Sequence, residues 1–308
     1  MPSWRMLTRT RSSVPVAVVS FADEEGARFN TPTFGSRALV GRLDVADALA
    51  RTDADGVAMA DAMRAAGVDP GRLADAPAAL ERLEGFLEVH IDQNRELAEA
   101  GAPIGVVSSL AGRMRVAVEI DGEADHAGTT RRSERRDALA AAAQLVVRAE
   151  QLAQDDPRFV VTPTRLLVEP NALSTIAGRV RLWLDARAPE IAAVDAWCAA
   201  LRDAAAEVAA RRRVEIQVAT ASRSAGVRFD DRVRAALGQG AHAATGAPAP
   251  EQVCFAGHDA GVLAERIPAG MVLVRNPTGV SHSPAEAVDV ADAALAARTV
   301  AAALEAFA

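Results

Sequence analysis

The apolar and polar positions divide the chain into three textures. Residues 14–21 read Val-Pro-Val-Ala-Val-Val-Ser-Phe, a short apolar run of the kind a buried parallel strand shows. The turn-rich segment 31–37 follows. Residues 45–66 carry a helical pattern, punctuated at 52–56 and stopped by Gly67 and Pro70-Gly71. Residues 86–91 (Phe-Leu-Glu-Val-His-Ile) predict a second buried strand, and 93–100 a helix that ends at Gly101.

From about Arg113 the pattern changes. Residues 114–120 alternate as a half-buried strand and end in the turn Asp121-Gly122. An Ala-rich helix is expected over 136–154, strands over 165–169 and 179–186, a long helix over 189–212 and a strand over 214–220. That order, β-α-β-β-α-β, is the pattern of a two-layer ferredoxin-like module. Its exposed edge strands and paired helices suit dimerisation. The pattern then returns to a helix (231–244), a buried strand (271–275) and a terminal helix (287–307). The expected architecture is a discontinuous α/β domain, residues 1–110 and 221–308, with an inserted ferredoxin-like domain at 111–220.

Composition narrows the function. The 308 residues can bury a full core. A net charge of -7 argues against a nucleic-acid binder. All 34 basic residues are Arg, so neither a Schiff-base lysine nor a P-loop lysine exists, and there is no Tyr to serve as acid or base. Two cysteines are too few for a disulfide framework, which points to a reducing, cytoplasmic setting. No 18-residue apolar run indicates a membrane span. Residues 1–12 are basic and acid-free, and they lack the apolar centre of a signal peptide.

Four of the five histidines and one acidic pair carry the candidate chemistry; His242 falls within an Ala-rich helix and is assigned no function. Asp23-Glu24-Glu25-Gly26 reads either as a solvated acidic turn or as a base beside a metal ligand. His90 in Glu88-Val89-His90-Ile91 reads either as a satisfied core histidine or as a Zn or Mn ligand. His282 lies in a Gly- and Pro-shaped loop that must hold one ring in place. His258, in Ala256-Gly257-His258-Asp259, suits a metal, substrate or outer-sphere role as well as it suits a helix cap. His126 lies at a turn of the inserted module, where a lone histidine is ordinarily just solvated. Glu25, His90 and His282 form a mixed carboxylate–imidazole set, brought together from three strand ends. Glu24 would then take a proton from a metal-bound water, a division of labour that suits hydrolysis of an amide or ureido carbonyl. Arg187 can hold a carboxylate through two parallel bonds or make an ordinary surface ion pair. Asn171 orients substrate or makes a turn.

These motifs together resemble the dinuclear-metal amidohydrolases that include allantoate amidohydrolase, N-carbamoyl-L-amino-acid hydrolase and β-ureidopropionase. The matching stretches run in order along nearly the whole chain. They are Asp23-Glu24-Glu25-Gly26-Ala27-Arg28-Phe29, Phe34-Gly35-Ser36-Arg37, Phe86-Leu87-Glu88-Val89-His90-Ile91-Asp92-Gln93, Asp125-His126-Ala127-Gly128, Pro170-Asn171-Ala172, Gly257-His258-Asp259-Ala260, and Asn276-Pro277-Thr278-Gly279-Val280-Ser281-His282. The resemblance implies a zinc-exopeptidase-type catalytic domain and two divalent ions, Zn or Mn. It implies Glu24 as general base, Glu25 and His282 as ligands of one ion, and His90 as a ligand of the other. It implies substrate contacts from Gln93, Asn171, Ser174, Arg187, Gly257 and His258. His126 would be a lid histidine that steadies the developing oxyanion across a homodimer. The implied substrate is a small ureido or N-carbamoyl compound, allantoate-like or carbamoyl-amino-acid-like.

The departures set further expectations. The family pattern ahead of the paired glutamates contains a His and a metal-bridging Asp, and nothing before Asp23 supplies either. About eighty residues of the family's N-terminal domain have no counterpart. Ser174 stands where a second Asn is usual, and Ala177 where Pro is usual. A catalytic Zn site normally has three protein ligands. The expectation is therefore weak, partial metal binding and little activity for the chain as written. The alternatives are a non-catalytic, dimer-forming remnant of such an enzyme and a metallopeptidase of the same architecture.

Overall fold

The computed structural model describes residues 14–305. In chain order the elements are α1 (Phe34–Leu39), α2 (Val45–Ala50), α3 (Met59–Ala65), a 3-10 turn (Pro70–Asp75), α4 (Pro77–Leu80), β1 (Phe86–Ile91), α5 (Glu96–Glu99), β2 (Ile104–Leu110) and β3 (Gly112–Asp121). Then come α6 (Ala138–Gln151), β4 (Val160–Glu169), β5 (Arg179–Ala188), α7 (Ile191–Arg212), β6 (Glu215–Ser224), β7 (Val227–Arg228), α8 (Asp231–Thr245), β8 (Glu251–Cys254), α9 (Asp259–Leu263), β9 (Ala269–Val274) and α10 (Val290–Glu305). The chain forms a mixed α/β fold of two compact units, one up to Leu110 and again from Arg228, the other Ala111–Val227.

The first unit is built on a sheet of order β1-β9-β2-β7, with β8 pairing β2. β1 and β9 run parallel, from Phe86 beside Ala269 to Ile91 beside Val274. β2 is antiparallel to β9 and parallel to β8. All six residues of β9 are buried, as its unbroken apolar sequence requires. Ile104, Val106, Val233, Leu237, Val272 and Val274 form the core that seats α8 and α10 on this sheet. β1 is half-buried rather than buried, and Val89 is 46% exposed, because among the described strands β1 lies at the end of the sheet beside β9.

The run 14–21 departs from expectation. It forms no strand beyond a single bridge at Val18, which is 57% exposed. Pro15 removes one ladder donor. What fixes the end of this run is side-chain packing, the Phe21 ring lying 5.9 Å from that of Phe86. The helix expected over 93–100 is one turn long. Asp92 accepts from the backbone of Asn94 and Leu97, and Asn94 Oδ1 caps Glu96 N, so 93–95 form a bend instead.

The second unit has the order β3-α6-β4-β5-α7-β6 and an antiparallel sheet β4-β5-β3-β6. Along β3, Met114, Val116, Val118 and Ile120 point inward with period two. They meet Leu145, Trp197 and Leu201 of the two helices in one core. The buried Trp197 indole donates to Ala149 O at 2.9 Å, which joins α7 to α6 and satisfies its polar end. α7 ends where Arg213 turns left-handed at φ 57°.

Candidate active site and metal centre

Glu24 and Glu25 are presented by a turn rather than by a strand end. Asp23 sits at φ 51°, Gly26 N donates to Asp23 O at 3.1 Å, and Thr33 N donates to Glu24 O. Gly26 is required twice. Its φ is 67°, and a Cβ there would lie 2.5 Å from Pro32 N. The turn leaves Glu24 half-buried and Glu25 exposed.

β1 supplies the next pair. Glu88 and His90 are two residues apart, so both side chains leave the same face of the strand. His90 Nδ1 lies 2.8 Å from Ile91 O. A carbonyl can only accept, so Nδ1 carries the proton and Nε2 keeps the free lone pair. Glu88 Oε2 accepts from Ala260 N at 2.6 Å. His258, buried just before α9, faces the same place. Its Nε2 lies 3.2 Å from Cys254 Sγ, its Nδ1 lies 3.7 Å from Glu88 Oε1, and its ring meets His90 edge-on at 4.3 Å. Asp259, the next residue, is buried and accepts from Ser36 Oγ of α1.

The third contribution is the loop after β9. Asn276 is fully buried, and its side chain organises the loop. Nδ2 donates to Val280 O, while Oδ1 accepts from Thr278 N, Thr278 Oγ and Gly279 N. Glu286 accepts from His282 N and Ser281 Oγ. Held this way at φ 56°, His282 places Nε2 at 3.1 Å from Glu25 Oε1.

The ligand atoms of Glu24, Glu25 and His90 lie within 4.8 Å of one another, and so do those of Glu88, His90 and His258. Crowding perturbs the acids. Burial, then Glu25 and Asp259, push Glu24 up to about 7, against the pull of His282. Burial raises Glu88 to about 8, despite the Ala260 hydrogen bond, with Asp259 and Glu24 adding to the rise. Burial and then His90 drive His258 down to about 3, so it is neutral. Neutral imidazole and crowded carboxylates with inward-facing atoms are the donor chemistry that a divalent ion satisfies. The residues present therefore fit a metal. Gln93, half-buried in the bend after β1, and exposed Gly257 flank these groups in sequence.

Glu88, Cys254, Asp259, Ser36 and Asn276 were not singled out by sequence reasoning. A carboxylate two residues before a histidine in an apolar strand is a signal for Glu88. The Cys254–His258 and Ser36–Asp259 contacts depend on tertiary placement, and nothing local announces them.

The second unit holds its own candidates. His126 is exposed, and its Nδ1 accepts from Gly128 N and Thr129 N at 3.1 Å each. That fixes the proton on Nε2, which faces outward as a donor. Asn171 and Ser174 are exposed, and Ser174 O accepts from Ala127 N, tying their loop to that of His126. Arg187 and Arg115 both bind Asp185, Nε to Oδ1 at 2.6 Å and Nε to Oδ2 at 2.9 Å. Burial works against the Asp185 charge, but these hydrogen bonds hold its carboxyl below the usual range. Arg113, opposite Arg187 across the β3–β5 ladder, is shifted down by burial and by the Arg115 and Arg187 charges. Three guanidiniums around one carboxylate leave excess positive charge suited to an anion.

The chain is similar to several known proteins. An N-carbamoyl-L-amino acid amidohydrolase of Geobacillus stearothermophilus is 39% identical over 272 residues, covering 88% of this chain and 66% of that protein. An allantoate amidohydrolase of Bacillus subtilis is 32% identical over 272 residues, covering 87% of this chain and 65% of its own length. The chain thus spans about two thirds of the length of the curated relatives it matches. The crystal structure of an amidase of the hydantoinase/carbamoylase family from Burkholderia multivorans superposes with a TM-score of 0.83 at 30% identity, over 95% of this chain and 70% of that one. The aminopeptidase PepT of Bacillus cereus, at 20% identity and a TM-score of 0.58, shares the fold. The family model of peptidase family M20/M25/M40 matches residues 5–306, and the chain belongs to that family.

Proposed function

We propose that the chain carries the hydrolytic centre of a metal-dependent enzyme that cleaves the C–N bond of a small ureido or N-carbamoyl substrate. The observation that carries this reading is the meeting of Glu24, Glu25 and His90 within 4.8 Å, with Glu24 held near neutrality. Glu25, His90 and His282 are the donors toward Zn- or Mn-type divalent ions, for which mixed N/O sets are suited. The ion, when bound, polarises the carbonyl and acidifies water. Glu24 is the residue that takes up and returns the proton, a task matched to a pKa near 7. Asp259, fixed by Ser36, lies close enough to raise Glu24.

In the second unit, Arg187 at one end of the β4–β5 ladder, and Asn171 with Ser174 in the loop at its other end, are each assigned to the substrate carboxylate by resemblance. The outward Nε2–H of His126 is assigned to the developing oxyanion. Gln93 and Gly257 complete the substrate-facing set by resemblance; His258, implied by the same resemblance, is 2% exposed and is left out of that set. We also assign this unit a ferredoxin-like lid role and a self-pairing role that makes a homodimer. A cytoplasmic setting fits two buried cysteines that form no disulfide with each other. No helix among the described residues is long and apolar enough to cross a membrane.

The test is ammonia release from allantoate and from a panel of N-carbamoyl-L-amino acids, with added Zn or Mn. Slow turnover of at least one of them, abolished by a chelator, is expected. No metal-dependent release from any of them would overturn the reading.

A further inference from the structure

Glu88 and His258 play no part in the proton transfer assigned to Glu24, yet both are enclosed near it, at 12% and 1% side-chain exposure. His258 Nδ1 is buried without a hydrogen-bond partner. An unpaired buried polar atom of this kind is costly and calls for an explanation. The ring is not loosely held. Cys254 Sγ sits on its Nε2 at 3.2 Å, and the His90 ring closes one side. The nitrogen left over points at Glu88 Oε1, 3.7 Å away, too far for a hydrogen bond. Two ligands about 2.0–2.1 Å from one tetrahedral ion stand about 3.3 Å apart, so the gap is close to that of two donors awaiting a shared ion.

Each of the three donors has one atom committed elsewhere and one atom free. Glu88 gives Oε2 to Ala260 N and keeps Oε1. His90 gives Nδ1 to Ile91 O and keeps Nε2. His258 gives Nε2 to Cys254 and keeps Nδ1. Outer partners that fix tautomer and ring angle are what metal-bound histidines require. We propose that Glu88, His90 and His258 form a closed pocket that binds one divalent transition ion without Glu25 or His282, with the Cys254 sulfur as the outer partner that aims His258. Two imidazoles and one carboxylate select a Zn- or Co-type ion over Mg or Ca.

The pocket stands on these side chains and does not rest on the ureido-hydrolase reading, because it is read without substrate. The full chain, stripped by chelation and labelled with 15N-histidine, is titrated with Zn²⁺ and followed by NMR at the ring nitrogens. The first equivalent is expected to move His258 Nδ1 and His90 Nε2 while His282 stays still. Calorimetric titration of Glu88→Gln, which keeps the side-chain shape, should show the tightest step weakened on the order of tenfold or more. Cys254→Ser should weaken it less, and His282→Gln should leave it unchanged. A first equivalent that moves His282 and leaves His258 in place would overturn the proposal. So would a Glu88→Gln isotherm that superimposes on the unmodified one, or a chain that takes up no Zn²⁺.

Discussion

Glu25 and His282 keep 53% and 65% of their side chains open to solvent, whereas Glu88 and His258 keep 12% and 1%. Each pair places its carboxylate near His90, and each joins a carboxylate to an imidazole. An exposed pair at 3.1 Å contributes little to stability, roughly 0–1 kcal/mol, because water already solvates both charges. The loop that brings His282 back to Glu25, with Asn276 buried to organise it, is therefore not explained by the ion pair it makes. The buried pair is the reverse case. It weakens the metal-free fold, since burial drives Glu88 up and His258 down. Open donors can meet substrate and water; enclosed donors can only hold something.

The largest expected effect separates the two pairs by chemistry. Glu24→Gln should lower kcat/KM by about 10²–10⁴-fold, the usual worth of a general base. In the unmodified chain, activity should rise with pH through about 7 as Glu24 loses its proton. A pH profile flat across that range would separate Glu24 from the proton transfer.

A second contrast lies in stability against pH. Glu24 and Glu88 are pushed up to about 7 and about 8 in the folded state from an ordinary 4.5, so the folded state holds protons that the unfolded state has released. Their stabilising contribution is complete below about 4.5 and is lost as pH rises through 7 and 8. His258 stays neutral in both states above the ordinary histidine value of 6.5, so between there and pH 8 it does not oppose the trend. The melting temperature of the chelated chain should therefore fall over that window. Added Zn²⁺ should restore it most at the alkaline end, where both carboxylates are charged. An unchanged melting temperature across the window would contradict the burial of these acids.

The smallest effect concerns how the open pair is presented. Gly26→Ala places a Cβ 2.5 Å from Pro32 N at a φ of 67° and should cost about 1–3 kcal/mol. Gly279, at φ 63° with Arg95 Cγ 2.2 Å from a built Cβ, is the corresponding position in the His282 loop. Arg95 is a side chain that can move, so Gly279→Ala should cost less than Gly26→Ala in a thermal melt.

The same two regions show what could be read from the chain. The second unit was legible because its signals are periodic. Alternation over 114–120 became β3, and the Ala-rich stretches became α6 and α7, with ends shifted by a few residues. Strand β2 was hidden, since Ile104-Gly105-Val106-Val107 is short and sits among Gly, Pro and Ser. Strand β8, Glu-Gln-Val-Cys, has no apolar pattern; only pairing with β2 makes it a strand. The apolar run 14–21 had the right composition and took another form, since composition names no partner edge. In the site, Glu24, Glu25, His90 and His282 were singled out from motif order; the structure sets the first three within 4.8 Å of one another and His282 against Glu25. Glu88 and Cys254 were not, because their roles arise only when α9 and its preceding loop fold against β1.

The hydrogen bond from His90 Nδ1 to Ile91 O has a consequence for occupancy. An imidazole tied down at one nitrogen has a single lone pair, and a lone pair serves one ion. On the proposed assignments, an ion bound on the Glu88 side would withdraw His90 from the Glu25 side, and the reverse would also hold. Supplying more metal could not give His90 to both, so the local backbone would make this histidine the ligand for which two destinations compete.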